Sequence, residues 1–297
     1  MNSTGKGKTK HFLDTSLLRP LLLGSSAYRK YLTSKLNEES LYLSNYVKME
    51  FKRSYVSNLI DFYFVLRLPN IKNINDALAF WSNKFKSSEL KAIITLVSQL
   101  WGTQNLDFTQ YSDKQNALIT VGIYIKRIII VLNKRFKNCG SDSTRCERNA
   151  IPFEIESTKM SEDLKFFVEQ FDDVDYCRSK CTIDKFILKR WRSEIETLIS
   201  SAESLPNNNL TRGFKKISEN LDIIVKEGES KCSCKMCERI GDAVIALDTP
   251  RYMQIEHTDN SFDYLCPPLN QVHRKHISEI KYIEEKNKHV ALTTLIQ

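Results

Sequence analysis

Apolar positions in this chain recur with two different periods, and the period changes along its length. Near the start, His11-Phe12-Leu13 is a short apolar run that stops at Asp14-Thr15-Ser16, which predicts a strand ending on a carboxylate. Ser16 is then positioned to cap a helix reaching Leu23. Leu41-Tyr42-Leu43 predicts a second short strand. Ser44 caps the helix after it, which carries Val47, Met49 and Phe51 toward Leu66. From Pro69 to about Lys231 apolar residues fall every three or four positions, predicting helices over 75–85, 88–101, 113–136, 161–171, 182–200 and 210–226. Polar breaks separate them, notably Asn138-Cys139-Gly140-Ser141 and Leu205-Pro206-Asn207-Asn208-Asn209. After a cysteine-rich stretch, 237–247 reads as another helix, and Tyr252-Met253-Gln254-Ile255-Glu256-His257 alternates like a strand.

Strand signals therefore sit at both ends, with helical periodicity between them. That arrangement predicts an α/β fold whose central parallel sheet is formed from the two chain ends, interrupted by an all-helical insertion domain. The expected boundaries are a flexible basic start over 1–10, the first part of the α/β domain over 11–68, the insertion over 69–234, the second part over 235–270, and a C-terminal extension over 271–297.

Composition adds three constraints. With 41% hydrophobic and 27% charged residues the chain has material for a sizeable core, and 9 Gly and 7 Pro in 297 residues favour long regular elements. Lys and Arg exceed Asp and Glu by 44 to 36, a net +8, which favours polyanions only if the charge is gathered on one face. No apolar stretch of the secretory kind follows the basic start. The most apolar run, Ala117 to Leu132, is broken by Lys126 and Arg127 and falls short of a membrane span. The expectation is a cytoplasmic protein without a membrane partner, whose 8 Cys are thiols or metal ligands rather than disulfides.

Four acids occupy comparable places. Asp14 and Asp259 end strands, Glu50 lies early in the helix after the second strand, and Asp242 interrupts the apolar run Gly241-Asp242-Ala243-Val244-Ile245-Ala246-Leu247. In an open parallel sheet the carboxyl ends of the strands form the ligand edge, so Asp14 and Asp259 are expected on one side. Carboxylates gathered there repel one another unless a cation neutralises them, and hard divalent ions such as Mg²⁺ or Mn²⁺ suit oxygen donors. Individually the bland readings hold: a strand-end Asp is usually a turn or helix cap, and Glu50 beside Lys48, Lys52 and Arg53 fits a solvated helix face. Asp242 resists that reading, because a buried unpaired carboxylate is costly.

The motifs together are more specific. His11-Phe12-Leu13-Asp14-Thr15-Ser16 resembles the opening motif of PIN-domain nucleases, and Ser44-Asn45-Tyr46-Val47-Lys48-Met49-Glu50 resembles their second. Gly241-Asp242-Ala243-Val244-Ile245-Ala246 is similar to their third, and Thr258-Asp259-Asn260-Ser261-Phe262 to their fourth, in the family's order. The resemblance covers about 8–68 and 235–270. It implies a compact α/β fold, a divalent-metal site held by Asp14, Glu50, Asp242 and Asp259, and hydrolysis of phosphodiester bonds by a metal-activated water, usually in RNA. It also implies hydroxyl roles for Thr15 and Thr258, and Lys48 and Arg53 are further candidates for substrate contact. Its departure is the 192-residue separation of Glu50 and Asp242, within which the family's central strand is not located. An insertion of that size suits substrate selection or a regulatory protein partner, in a defence or RNA-processing system. A DNA-directed nuclease of related fold and a non-catalytic interaction subunit remain open alternatives.

Other features carry less. Basic clusters with interleaved aromatics occur at Lys134-Arg135-Phe136-Lys137 and Lys189-Arg190-Trp191-Arg192, a composition that suits phosphates and unpaired bases but equally a solvated helix. His257 reads as a packing residue, and His273 and His276 as surface residues of a polar tail. Cys177 and Cys181 with Cys234 and Cys237 form two short pairs compatible with a structural tetrahedral zinc, or with plain thiols. A Gly-rich phosphate loop and a nucleophile elbow are both missing from the sequence, so kinase, NTPase and α/β-hydrolase readings lack their motif.

Overall fold

The computed structural model describes residues 10–23, 30, 34, 36, 41–84, 93–94, 96–98, 100–102, 106–139, 183–228, 234–258, 261–266, 269 and 273–275. The chain divides into two units. The first comprises 1–48, 136–150 and 175–297, the second 49–135 and 151–174. The expected helix over 161–171 and the thiols Cys177 and Cys181 lie outside the described residues.

The first unit is built on a five-stranded sheet. Its strands are β1 (His11–Leu13), β2 (Leu41–Leu43), β3 (Lys137–Asn138), β4 (Gln254–His257) and β5 (His273–Lys275), in the order β3-β2-β1-β4-β5. Every pairing is parallel: His11 lies across from Leu41 on one side and Gln254 on the other, Tyr42 across from Lys137, and Ile255 across from His273. Phe12, Leu13, Leu43 and Ile255 are fully buried, as a sheet covered on both faces demands. The sheet is therefore not a product of the two chain ends alone. β3 comes from the middle of the chain, in the stretch expected to be all helical. Two exposed polar residues at the sheet edge carry no hydrophobic signal, which is why the periodicity conceals them.

Helices follow the strands through short capped turns. α1 (Thr15–Leu23) follows β1, and α2 (Asn45–Phe51) follows β2, with Ser44 Oγ accepting the Val47 amide at 3.2 Å. The expected cap on α1 is corrected: Asp14 occupies the cap position and Ser16 lies inside the first turn. Further along come α6 (Ile183–Glu203), kinked at Trp191, and α7 (Asn209–Glu227), closed by Gly228 at a φ of 76° that only glycine adopts cheaply. These two helices pack as a pair through Ile195, Leu198, Phe214 and Leu221, and Phe214 stacks on Tyr264 at 5.4 Å. The single helix expected over 237–247 is two, α8 (Cys234–Arg239) and α9 (Gly241–Asp248), with a break at Ile240. The short α10 (Phe262–Leu265) then links β4 to β5.

The second unit is helical in its described residues. α2 runs into five residues, Lys52–Val56, wound as a π-type segment, and α3 (Ser57–Arg67) continues from there. α4 (Ile74–Lys84) and α5 (Tyr111–Lys134) pack on α3 around Phe62 and the fully buried Trp81, whose rings meet edge-on at 5.9 Å. Lys114 Nζ donates to the Leu68 carbonyl at 2.7 Å, anchoring the start of α5 to the end of α3. α5 is long and apolar enough to cross a membrane by length and composition, so the expected shortfall over Ala117 to Leu132 does not hold by that measure. Its buried face, from Ala117 and Val121 to Ile125, Ile129 and Leu132, has the three- and four-residue spacing of a helix laid on a protein core.

One buried hydrogen bond between side chains joins the two central strands. His11 Nδ1 and Glu256 Oε1 are 2.7 Å apart across β1 and β4, and Glu256, fully buried, also accepts from Gln254 Nε2 at 2.9 Å. Removing one partner of a buried hydrogen bond costs the other its desolvation. His11→Leu is expected to lower unfolding free energy by about 2 kcal/mol, with a smaller loss for His11→Gln, measured by urea denaturation of the full chain.

Candidate functional site at the carboxyl edge of the sheet

The strand order reverses between β1 and β4. Beyond β1 the chain turns to β2 on one side, and beyond β4 to β5 on the other, so the crevice outside the ends of β1 and β4 is left open by the topology. In open parallel sheets this is where ligands bind. Asp14, the residue after β1, and Thr258, the residue after β4, stand at that point.

Hydrogen bonds fasten them together. The Asp14 amide donates to the Glu256 carbonyl at 3.0 Å, extending the β1–β4 pairing by one residue. Asp14 Oδ2 accepts the Ser16 amide at 2.8 Å, and its carbonyl accepts the Leu17 and Leu18 amides, so it caps α1. Ser16 Oγ in turn accepts the Thr258 amide at 3.0 Å, joining the first turn of α1 to the end of β4. Asp14 is thus a nearly buried carboxylate at the amino terminus of a helix, where the dipole favours negative charge. The cap reading and the site reading of Asp14 coexist, because a carboxylate has two oxygens and four lone-pair positions.

The other expected residues fall as follows. Thr15 opens α1 and is buried, and Thr258 is half-buried. Asp242 lies in the first turn of α9, half-buried in a helix whose other seven residues are all buried. Glu50 and Arg53 belong to the second unit, where the Glu50 carbonyl accepts from Ser54 Oγ at 2.7 Å beside the π-type segment. Asp259 and His276 lie outside the described residues, as does the side chain of Cys234. Cys237 is buried in α8, with the Tyr46 hydroxyl donating to its carbonyl at 2.7 Å and lying 3.4 Å from its sulfur, which ties α8 to the first turn of α2. Asp14 and Asp242 offer the hard oxygen donors that Mg²⁺ or Mn²⁺ takes. Among the described residues, however, no three His, Cys, Asp or Glu side chains gather closely enough to hold a metal ion.

Two clusters at this edge escape the sequence reading. Lys48, on α2, and Asp248, the last residue of α9, both act on Cys139, which follows β3 and whose amide donates to the Leu43 carbonyl at 2.9 Å. Burial, and then the Asp248 carboxylate, push the Cys139 thiol up to about 12, while burial lowers the Lys48 ammonium. On the other side, the fully buried His257 shares a hydrogen bond between its Nε2 and His273 Nδ1 at 2.9 Å and packs against Phe262. Asp263 lies 4.0 Å from His273 and pairs with Lys275. His257 is thus a packing residue that also bonds. His273 is corrected from a surface residue to a half-buried strand residue, a role hidden in a tail whose strand is only three residues long.

No family model, curated protein or solved structure matches the chain.

Two measurements check this geometry. Ser16→Ala removes the acceptor for the Thr258 amide and is expected to cost about 1 kcal/mol in denaturant unfolding. The Cys139 thiol, raised in the folded chain, is expected to resist iodoacetamide at pH 8 until the protein is unfolded, as peptide mass mapping would read. The thiol contributes stability that is complete below about pH 9, its ordinary value, and is lost as pH climbs toward 12.

Proposed function

We propose that this chain is a divalent-metal-dependent PIN-type nuclease, an endoribonuclease that cleaves phosphodiester bonds with a metal-activated water. The observation that carries the reading is Asp14: a nearly buried carboxylate at the switch point of a parallel sheet, at the helix terminus that follows the central strand. The half-buried Asp242 on an otherwise buried helix supports it. Asp259 and Glu50 enter from the sequence resemblance.

In this reading Asp14, Asp242, Asp259 and Glu50 hold Mg²⁺ or Mn²⁺, which when bound supplies Lewis acidity and a water of lowered pKa. The chain's own groups do the rest. Asp14 is held in one rotamer by the Ser16 amide, so its carboxylate needs little reorganisation on binding a cation. Ser16 keeps the Thr258 backbone beside the first turn of α1, and Thr15 and Thr258 are the hydroxyls proposed to orient a phosphate oxygen. Lys48 and Arg53 are the proposed phosphate contacts, and partial burial makes the Lys48 ammonium readier to trade water for a phosphate. The helical parts of the chain are proposed to select substrate or to meet a regulatory protein, in the cytoplasm. The carboxylates are not selective for sugar, so a DNA-directed nuclease is the competing outcome of the same test.

Incubation of the full chain with labelled single-stranded RNA, single-stranded DNA and duplexes, in Mg²⁺, Mn²⁺ or EDTA, distinguishes these. Internal cleavage of RNA is expected with either metal and none with EDTA. Asp14→Asn or Asp242→Asn should reduce the rate about a hundred-fold or more, with the fold intact by circular dichroism. Cleavage indifferent to EDTA and to both substitutions would remove the assignment.

A further inference from the structure

The opposite, amino edge of the same sheet carries a second set of charges with a different surrounding. Lys10 immediately precedes β1, and its Nζ stands 5.0 Å from the centre of the Tyr252 ring and 5.9 Å from that of Tyr42. On the far side of Tyr42, Lys137 approaches the same ring at 5.8 Å from β3. Next to Tyr252 in sequence, Arg251 lies over the Trp191 indole at 5.7 Å, and Arg190 lies over it at 5.5 Å. The kink in α6 falls at Trp191 itself. Cations and aromatic rings therefore alternate from β3 across β2 and β1 to the turn before β4 and on to α6, all within the first unit.

This is not how the chain treats its ordinary surface cations. On α7, Lys226 pairs with Asp222 one turn away at 2.7 Å, and on α6 Arg192 meets Glu196 at 3.6 Å. Along the alternating row, the one carboxylate contact among the described residues is the half-buried Glu194, 3.9 Å from the exposed Arg251. Of the three rings Tyr252 is the accessible one, 68% exposed, while Tyr42 and Trp191 are half-buried. Positive charge interleaved with aromatic rings, one of them exposed, suits an unpaired polynucleotide, with phosphates for the cations and a base to stack at Tyr252. A duplex would present no free base faces to the rings, and an acidic polypeptide would leave Tyr252 and Tyr42 unused.

We propose that this amino edge is a second nucleic-acid surface, which holds single-stranded RNA at the other end of the strands from Asp14. β1 is three residues long, so the two edges stand roughly 10 Å apart along it, and a strand held here is tethered beside the carboxyl edge. The choice of RNA over DNA rests on the nuclease reading; the surface itself does not.

The test is binding without turnover. Anisotropy of a labelled oligouridylate of about 20 nucleotides, longer than the ~4–16 that one single-strand site occupies, is followed with the full chain in EDTA at low salt. Tyr252→Ala is expected to weaken binding about ten-fold, Tyr252→Leu similarly, and Tyr252→Phe hardly at all, since stacking needs the ring and not the hydroxyl. Lys10→Ala and Lys137→Ala should each flatten the dependence of log affinity on log salt by about 0.7. Lys226→Ala, a cation outside the row, should do much less. The proposal is overturned if the chain does not bind, if Lys226→Ala costs as much as the row variants, or if an oligothymidylate or a duplex of equal length binds more tightly. Because no metal is present, loss of cleavage in the earlier assay leaves this result standing, and loss of binding here leaves the cleavage result standing.

Discussion

The fold depends on the parallel pairing of β1 with β4. Residues 245 positions apart meet in a buried hydrogen bond, His11 with Glu256, between the two central strands. Closing so long a loop costs conformational entropy before any contact is gained, and the loss grows only logarithmically with length. Intervening helical segments that pack on their own cores are therefore tolerated between the two strands. What is not tolerated is an unpaired strand edge at the centre of a buried sheet, where every amide and carbonyl must find a partner. β1 meets that demand on both sides at once, with β2 and β4, and so fixes the register of the whole edge.

From that pairing the candidate site follows by short covalent and hydrogen-bonded steps. Asp14 is the next residue after β1, Thr258 the next after β4, and Ser16 bridges them. The same residues that terminate strands and start helices are those left facing the crevice. Structural and chemical roles converge there because a helix start and an anion or cation site need the same polar groups. The flanking clusters differ in kind. Lys48 and Asp248 crowd a thiol that burial keeps protonated, whereas His257 and His273 bond each other within the strand pair β4–β5.

The sheet also presents two edges of unlike chemistry. Asp14, Ser16, Thr258 and the His257–His273 pair stand at the carboxyl edge, and Lys10, Lys137, Arg251 and their aromatic rings at the amino edge. In a parallel sheet all strands point the same way, so residues that precede strands and residues that follow them are sorted to opposite ends without further design. A net charge of +8 spread along 297 residues becomes a directional feature only through that sorting.

By itself the sequence determined the local periodicities and what they imply: strands at 11–13, 41–43 and near 254–257, helices through the centre, the cap at Ser44, and the acid after the first strand. Each of these depends on neighbours within a turn or two, which is the range over which propensity and capping act. Tertiary structure alone decided the rest. β3 (Lys137–Asn138) and β5 (His273–Lys275) hold no apolar residue, so they leave no hydrophobic pattern, and become strands because an adjacent strand offers an unpaired edge. Ser16 moved from cap to bridge because Asp14 competes better for the helix amides, leaving a hydroxyl for Thr258 that no local rule could assign. The row of cations on rings draws on residues at 10, 42, 137, 190 and 251, separated by tens of positions. Its members have no common motif in the chain, since what relates them is the register of a sheet and not their spacing in sequence.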